Sequence, residues 1–246
     1  MKKSVSLICI LLISLLISSA CSSNKATGIK SSNPSGENAE DIKAPAESTD
    51  GENMETVISE PDFAVVYDSL EKLMDKAEII VEGNIMDTSY FDFNTVTYTK
   101  AHLKVTKTFN NNVKEGDVIT LVEPGGITTK AAIIKYSGAS LKFGIKPTEK
   151  DKNTKVRFSL MGYQNVKPND KILIFGLQDY SLNVLPGEKY YVTLGAFQGK
   201  FNLNGNNVER FTPKSLKTDK YLSLNKNKLK IEQDIKNMIK SKQKTN

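Results

Sequence analysis

Two stretches decide the fold: Ala77-Glu78-Ile79-Ile80-Val81-Glu82-Gly83-Asn84-Ile85 and Lys100-Ala101-His102-Leu103-Lys104-Val105. In the first, Ile79, Val81 and Ile85 keep a spacing of two, with Gly83 between them; in the second, Ala101, Leu103 and Val105 alternate with Lys100, His102 and Lys104. A period of two belongs to a strand, and apolar-polar alternation belongs to a sheet with one solvated face. Polar residues around Asp92 and Asn94 turn the chain between them. Val96 and Tyr98 fall on the opposite phase from Leu103, which predicts a bulge near Thr99. Upstream, Asp68 with Glu71 reads as a capping box for a short helix that presents Leu70, Leu73, Met74 and Ala77 on one face.

Downstream, Val113-Lys114-Glu115-Gly116-Asp117 is echoed by Val166-Lys167-Pro168-Asn169-Asp170 and, more loosely, by Val184-Leu185-Pro186-Gly187-Glu188. Each sets a residue tolerant of left-handed angles before an acid and then enters an apolar run, which predicts tight turns that launch strands. Asn204-Gly205 signals a hairpin that pairs Phe201 and Leu203 with Val208 and its neighbours. Ala131-Ala132-Ile133-Ile134 reads as a short strand, and residues 146–155 as an exposed polar loop. From about Asn225, Ile231, Ile235, Met238 and Ile239 share a helical face while lysines occupy the rest. The expected fold class is mainly β: a small OB-like antiparallel barrel with a short N-terminal helix and a C-terminal amphipathic helix.

The chain start has a different character. Lys2 and Lys3 precede an apolar run from Val5 to Ile17, then Ser18, Ser19 and Ala20 stand before Cys21. The run is too short for a spanning helix, which needs about 20 apolar residues. Small residues followed by cysteine resemble the lipobox of bacterial lipoproteins, with Ser18 where that motif usually has leucine. The resemblance implies a diacylglyceryl-modified, palmitate-bearing Cys21 and a cell-membrane location, lipid-anchored on the extracytoplasmic face. It leaves neither a cysteine pair nor a free thiol, because Cys9 is removed and Cys21 acylated. Residues 22–60 are rich in Ser, Asn, Gly, Glu, Ala, Pro and Thr, which bury too little to offset roughly 1 to 2 kcal/mol per residue of backbone entropy. The expected organisation is therefore a signal peptide over 1–20, the acylated cysteine and a disordered tether over 21–60, and a single mainly β domain over 61–246 with a basic C-terminal helix.

The order of the quoted strands, followed by Val113-Lys114-Glu115-Gly116-Asp117-Val118-Ile119, Pro124-Gly125-Gly126 and Ile172-Leu173-Ile174-Phe175, looks like that of a poorly characterised class of bacterial exported domains. It is also similar to the OB-like barrel of netrin-type and metalloproteinase-inhibitor domains, over about Leu70 to Phe201. Inhibition is not implied, because those inhibitors reach the protease metal through a free N-terminal cysteine, and Cys21 is read as acylated.

Candidate sites are few. The only histidine, His102, falls on the polar strand face between two lysines, the place of a solvated side chain rather than a catalytic base. Pro124-Gly125-Gly126 lacks the spacing and lysine of a phosphate loop and reads as a turn. Glu78 with Glu82, and Asp87 with Asp92, are carboxylate pairs without a ligand loop, most simply solvated charges. In Gly195-Ala196-Phe197-Gln198-Gly199-Lys200-Phe201, glycines flank an aromatic and an amide, so Phe197, Gln198, Lys200 and Phe201 form a candidate binding surface, against the plainer reading of a barrel corner. No catalytic residue, metal ligand or cofactor is expected. The expected function is a non-enzymatic binding or interaction module on the cell surface, its partners the membrane through the lipid and an envelope protein or polymer, with no nucleic acid. The alternative is a carboxylate-dependent cell-envelope hydrolase. A transporter's solute-binding lipoprotein is disfavoured because alternating strand and helix units are not visible.

Overall fold

The computed structural model describes residues 54–110, 112–178 and 183–245. Cys21, the segment read as a signal peptide and most of the segment read as a tether lie outside the described residues. In chain order the elements are β1 (Thr56–Ser59), α1 (Leu70–Lys76), β2 (Ile79–Phe93), β3 (Val96–Thr108), β4 (Val118–Pro124) and β5 (Gly126–Thr129). Then come α2 (Lys130–Tyr136), α3 (Ala139–Phe143), α4 (Glu149–Asn153), β6 (Lys155–Leu160), β7 (Lys171–Gln178) and β8 (Tyr190–Thr193). The chain ends with β9 (Lys200–Asn204), β10 (Asn207–Glu209), α5 (Asp219–Leu222), β11 (Lys226–Asn227) and α6 (Lys228–Thr245). The protein is mainly β. β1 lies inside the segment read as tether; its partner is β6, about a hundred residues away, so local composition carries no sign of it.

The large sheet has the order β11-β10-β9-β7-β2-β3-β4-β8, and β8 pairs in addition with β7. The pairings are antiparallel except β4 with β8, so the sheet is mixed rather than wholly antiparallel. A smaller sheet joins β1, β6 and β5.

Two cores explain the strand sequences. Ile79, Val81 and Ile85 of β2 join Ala101, Leu103, Leu121, Ile172 and Ile174 on one face. On the other, Ile80, Leu173 and Phe175 meet Leu70 and Leu73 of α1 and Ile231 and Ile235 of α6. A strand covered on both faces loses its alternation, which is why Ile79-Ile80-Val81 and Ile172-Leu173-Ile174-Phe175 are continuous apolar runs. The same logic removes the bulge expected near Thr99. Tyr98 stacks on Phe91 in a separate cluster on the face opposite Leu103, so both phases of β3 are buried without a change of register. The register shifts fall instead between Glu82 and Gly83 and between Ile85 and Asp87. At Gly83 a Cβ would lie 2.6 Å from the Lys104 carbonyl oxygen and 2.7 Å from Leu103 Cδ1, so the close approach of β3 requires glycine.

The turn grammar holds in all three places. Asp117 and Asp170 accept from the backbone N–H of Lys114 and Lys167 at 2.8 and 3.0 Å, with Gly116 and Asn169 at φ 91° and 73° before them. The third turn has Gly187 at φ 80°, and the Glu188 N–H donates to the Leu185 carbonyl at 3.1 Å. Leu203 pairs with Val208 as expected, but the turn residues are Gly205-Asn206, one place on from Asn204-Gly205, and Phe201 is aligned with Leu173 of β7. Two helical expectations need correction. α1 is capped by Ser69, whose hydroxyl accepts from Lys72 N–H, while Asp68 pairs with Lys72 and Lys220. Ala131-Ala132-Ile133-Ile134 is the body of α2, not a strand; Thr129 caps it, and Ala132 N–H donates to the Thr129 hydroxyl at 3.2 Å. Part of the expected polar loop over 146–155 is α4, closed by a Thr148–Asp151 capping box.

Candidate functional site

Alternation along β4 puts Glu123 on the same face as Ile119 and Leu121, and its side chain is 0% exposed. A carboxylate there must be satisfied internally. Its Oε1 accepts from the Tyr163 hydroxyl at 2.8 Å, and its Oε2 from the Val166 backbone N–H at 3.0 Å. The Lys200 ammonium, 4% exposed, sits 3.2 Å from Oε1. It also donates to the Gln164 carbonyl at 3.4 Å and lies 4.3 Å from the centre of the Tyr163 ring. Burial lowers the Lys200 ammonium from its ordinary value, with Glu123 opposing the shift. Burial, and then the charge and hydrogen bond of Glu123, hold the Tyr163 phenol well above its ordinary value, so it stays a donor.

Lys200 also contributes to the wall of a cavity of about 200 Å³, together with Lys167, Lys171, Asn165, Asn202 and Asp170. Asp170 is already committed to the turn that launches β7. Lys167 and Lys171 against one carboxylate, with amides between and the Lys200 charge balanced by Glu123, make a polar recess suited to an anionic or oxygen-rich group. A larger cavity, about 420 Å³, lies between α1, α5 and α6, but its two lysines are paired, Lys220 with Asp68 at 3.2 Å and Lys226 with Asp234 at 2.9 Å, and Glu71 adds a further carboxylate.

Of the surface read from Gly195 to Phe201, only Lys200 reaches a cavity, and none of the four residues is a surface residue. Phe197 is fully buried among Phe63, Tyr163 and Phe211, with ring centres 5.2 to 5.4 Å away. Gln198, also 0% exposed, accepts from Tyr67 N–H at 2.8 Å and donates to the Val65 carbonyl. Phe201 packs on Phe175 at 5.9 Å. The glycines do carry a corner, with Gly195 and Ala196 both at positive φ, and the segment before α1 folds over it. That cover is the physical reason the predicted surface is interior.

The remaining candidates go to separate partners. His102 Nδ1 lies 2.6 Å from Asp87 Oδ1 at a half-exposed position. Asp92 accepts from the hydroxyls of Thr97 and Thr128 at 2.7 and 3.0 Å. Glu78 accepts from Gln178 N–H at 3.0 Å. Glu82 turns away from Glu78 and meets Glu232 of α6: Lys228 bridges Glu82 at 2.8 Å and Glu232 at 3.6 Å, and Lys107 donates to Glu232. Pro124-Gly125-Gly126, read as a turn, passes directly from β4 to β5 with Gly125 alone between them, both glycines at positive φ and Gly125 N–H donating to the Thr97 carbonyl at 2.7 Å.

The sequence reading missed Glu123, Tyr163 and Arg210. Arg210 is buried, donates to the carbonyls of Tyr67, Gln198 and Tyr221, and stacks 3.3 Å over the Tyr221 ring. Burial moves the guanidinium down to about 10 and the Tyr221 phenol up to about 12. No helix among the described residues is long and apolar enough to cross a membrane. No family model matches the chain, and neither a curated protein nor a solved structure matches it.

Proposed function

We propose that this chain is a lipid-anchored, extracytoplasmic, non-enzymatic binding module, whose OB-like barrel takes an anionic group of an envelope polymer or protein in the recess beside Lys200. The observation that carries the reading is the recess itself: Lys167 and Lys171 line it against Asp170, while the charge of Lys200 in its wall is balanced by Glu123. The barrel reading draws on the pairing order. β2, β3 and β4 form a meander, β4 passes to β8 by a parallel pairing, and β8 returns through β7 to β2. A five-stranded ring of this Greek-key kind is what an OB barrel requires. The anchor reading draws on the residues before Cys21.

A carboxylate-dependent hydrolase has less support. Glu82 and Glu232 do converge, but they meet beneath α6 at 3% and 7% exposure, which leaves no room for a substrate.

Titration of a chain beginning at Ser22 with a phosphodiester polymer, a uronate polymer and a neutral polysaccharide tests the site. The charged polymers bind, and Lys171→Gln weakens them about fivefold, the roughly 1 kcal/mol of one cation near a charged surface. Equal binding of the neutral polymer, or no change in the variant, refutes it. Labelled palmitate tests the anchor separately: it enters the full chain and not Cys21→Ala.

A further inference from the structure

The connection between β5 and β6 carries a second surface that the recess does not use. From Lys130 to Pro147 the sequence has Lys130, Lys135, Lys142 and Lys146 and no acidic residue. Lys130 lies 3.8 Å from Glu55, while Lys135, Lys142 and Lys146 are exposed. The nearest acids that follow are already engaged: Glu149 pairs with Lys152 at 2.7 Å, and Asp151 closes the α4 capping box. Among these lysines stand Phe143, 75% exposed, and Ile145, 45% exposed. Phe143 is the only exposed aromatic among the described residues. Short α3 is bracketed by Gly138 and Gly144, both left-handed at φ 71° and 64°, so the chain turns tightly at each end and presents Phe143 at a tip.

Scattered exposed apolar residues need no explanation, but an aromatic and an isoleucine two positions apart within a wholly cationic stretch are a different composition. It is that of an interfacial segment: apolar side chains enter the headgroup boundary while lysines keep their ammonium groups at the anionic phosphates. We propose that the α3 tip, through Phe143 and Ile145 with Lys142 and Lys146, inserts into the surface of an anionic bilayer. This contact is independent of acylation at Cys21 and of the recess beside Lys200.

The test uses the unacylated chain beginning at Ser22, which retains every described residue, in sedimentation with vesicles. Phosphatidylcholine vesicles containing phosphatidylglycerol retain the protein, and pure phosphatidylcholine vesicles retain it much less. The double variant Phe143→Ser, Ile145→Ser lowers the partition coefficient at least about tenfold, and Lys142→Gln with Lys146→Gln lowers it about fivefold per lysine. Because these side chains are exposed, the thermal midpoint stays unchanged and a folding defect is separated from a binding one. Lys236→Gln with Lys240→Gln, on α6, leaves retention as it was. The proposal is overturned by absence of binding, by equal retention on both lipids, by retention that survives the tip variant, or by loss through the α6 variant instead. Binding to native membranes but not to pure lipid overturns it in favour of a protein partner.

Discussion

Glu123 and Lys200 hold opposite charges where water does not reach, and they are not equally well supported. Removing the ammonium leaves the carboxylate with the Tyr163 hydroxyl and the Val166 N–H. Removing the carboxylate leaves the ammonium with one carbonyl and the Tyr163 ring. A buried ion pair broken from one side costs about 3 to 5 kcal/mol, while replacing both partners by matched neutral groups costs far less. Glu123→Gln is therefore expected to lose about 3 kcal/mol or more in urea unfolding, Lys200→Met less, and the double variant less than the sum. Additivity within about 0.5 kcal/mol would show the two not to be coupled. At Gly83, alanine would drive a Cβ into the Lys104 carbonyl; about 2 kcal/mol of destabilisation is expected, with a lowered unfolding midpoint as the measure. The sequence held one sign of Glu123, its place in the alternation after Ile119 and Leu121. That place does not by itself separate a buried carboxylate from a charge at a strand end, since Pro124-Gly125-Gly126 follows at once. Lys200 and its neighbours looked exposed because the residues that cover them, Phe63 to Tyr67, are more than a hundred positions away.

At the scale of elements, α6 was legible from periodicity, since Ile231 and Ile235 are the residues that bury. α2 was not. A short run of alanines and isoleucines suits a strand or a half-buried helix, and only the Thr129 cap separates them. What periodicity could not foresee is how α6 fastens to the sheet, through Glu82 of β2, Lys107 of β3, and Lys228 and Glu232 of the helix. Burial raises the Glu82 carboxyl above its ordinary value of 4.5, against the pull of Lys228. Burial also acts to raise Glu232, but Lys107, Glu82 and Lys228 outweigh it and leave that group below its ordinary value. The signs follow from linkage. Between 4.5 and the raised value, folded Glu82 holds a proton that the unfolded chain has released, so its contribution is present on the acid side and is lost as pH rises. Glu232 contributes above its ordinary value and loses its contribution as pH falls. Glu82→Gln imitates the protonated form. Its stability relative to the parent is therefore expected to improve from pH 4.5 to pH 7, compared by urea unfolding at both. An unchanged difference at the two values would show that burial does not set the Glu82 charge.

For the whole molecule, the question is whether α6 and the small sheet are appendages or parts of one cooperative unit. Separate strands and turns were legible because each is a local pattern; the joining of β8 to β4, and of β1 to β6, rests on contacts far apart in sequence that no local pattern encodes. Those contacts make the unit indivisible. The core on the helical face draws on residues from Leu70 to Ile235, so releasing α6 exposes Leu173, Phe175 and Phe201 at the centre of the sheet. The aromatic cluster around Phe197 takes Phe63 from before α1, Tyr163 from beyond β6, and Tyr221 from α5. Neither α1, α5 nor α6 can leave without uncovering apolar surface at roughly 25 cal/mol per Å². The chain has nine tyrosines and no tryptophan; Tyr98, Tyr163, Tyr190, Tyr191 and Tyr221 are buried in three clusters and Tyr67 packs against the helical-face core, so tyrosine fluorescence reports on the whole unit. Urea unfolding of the chain beginning at Ser22, followed by tyrosine fluorescence and by far-ultraviolet circular dichroism, is expected to give coincident single transitions. Loss of helical signal before the tyrosine change would mean that α6 detaches on its own, and that the Glu82 to Glu232 fastening contributes less than the shared core implies.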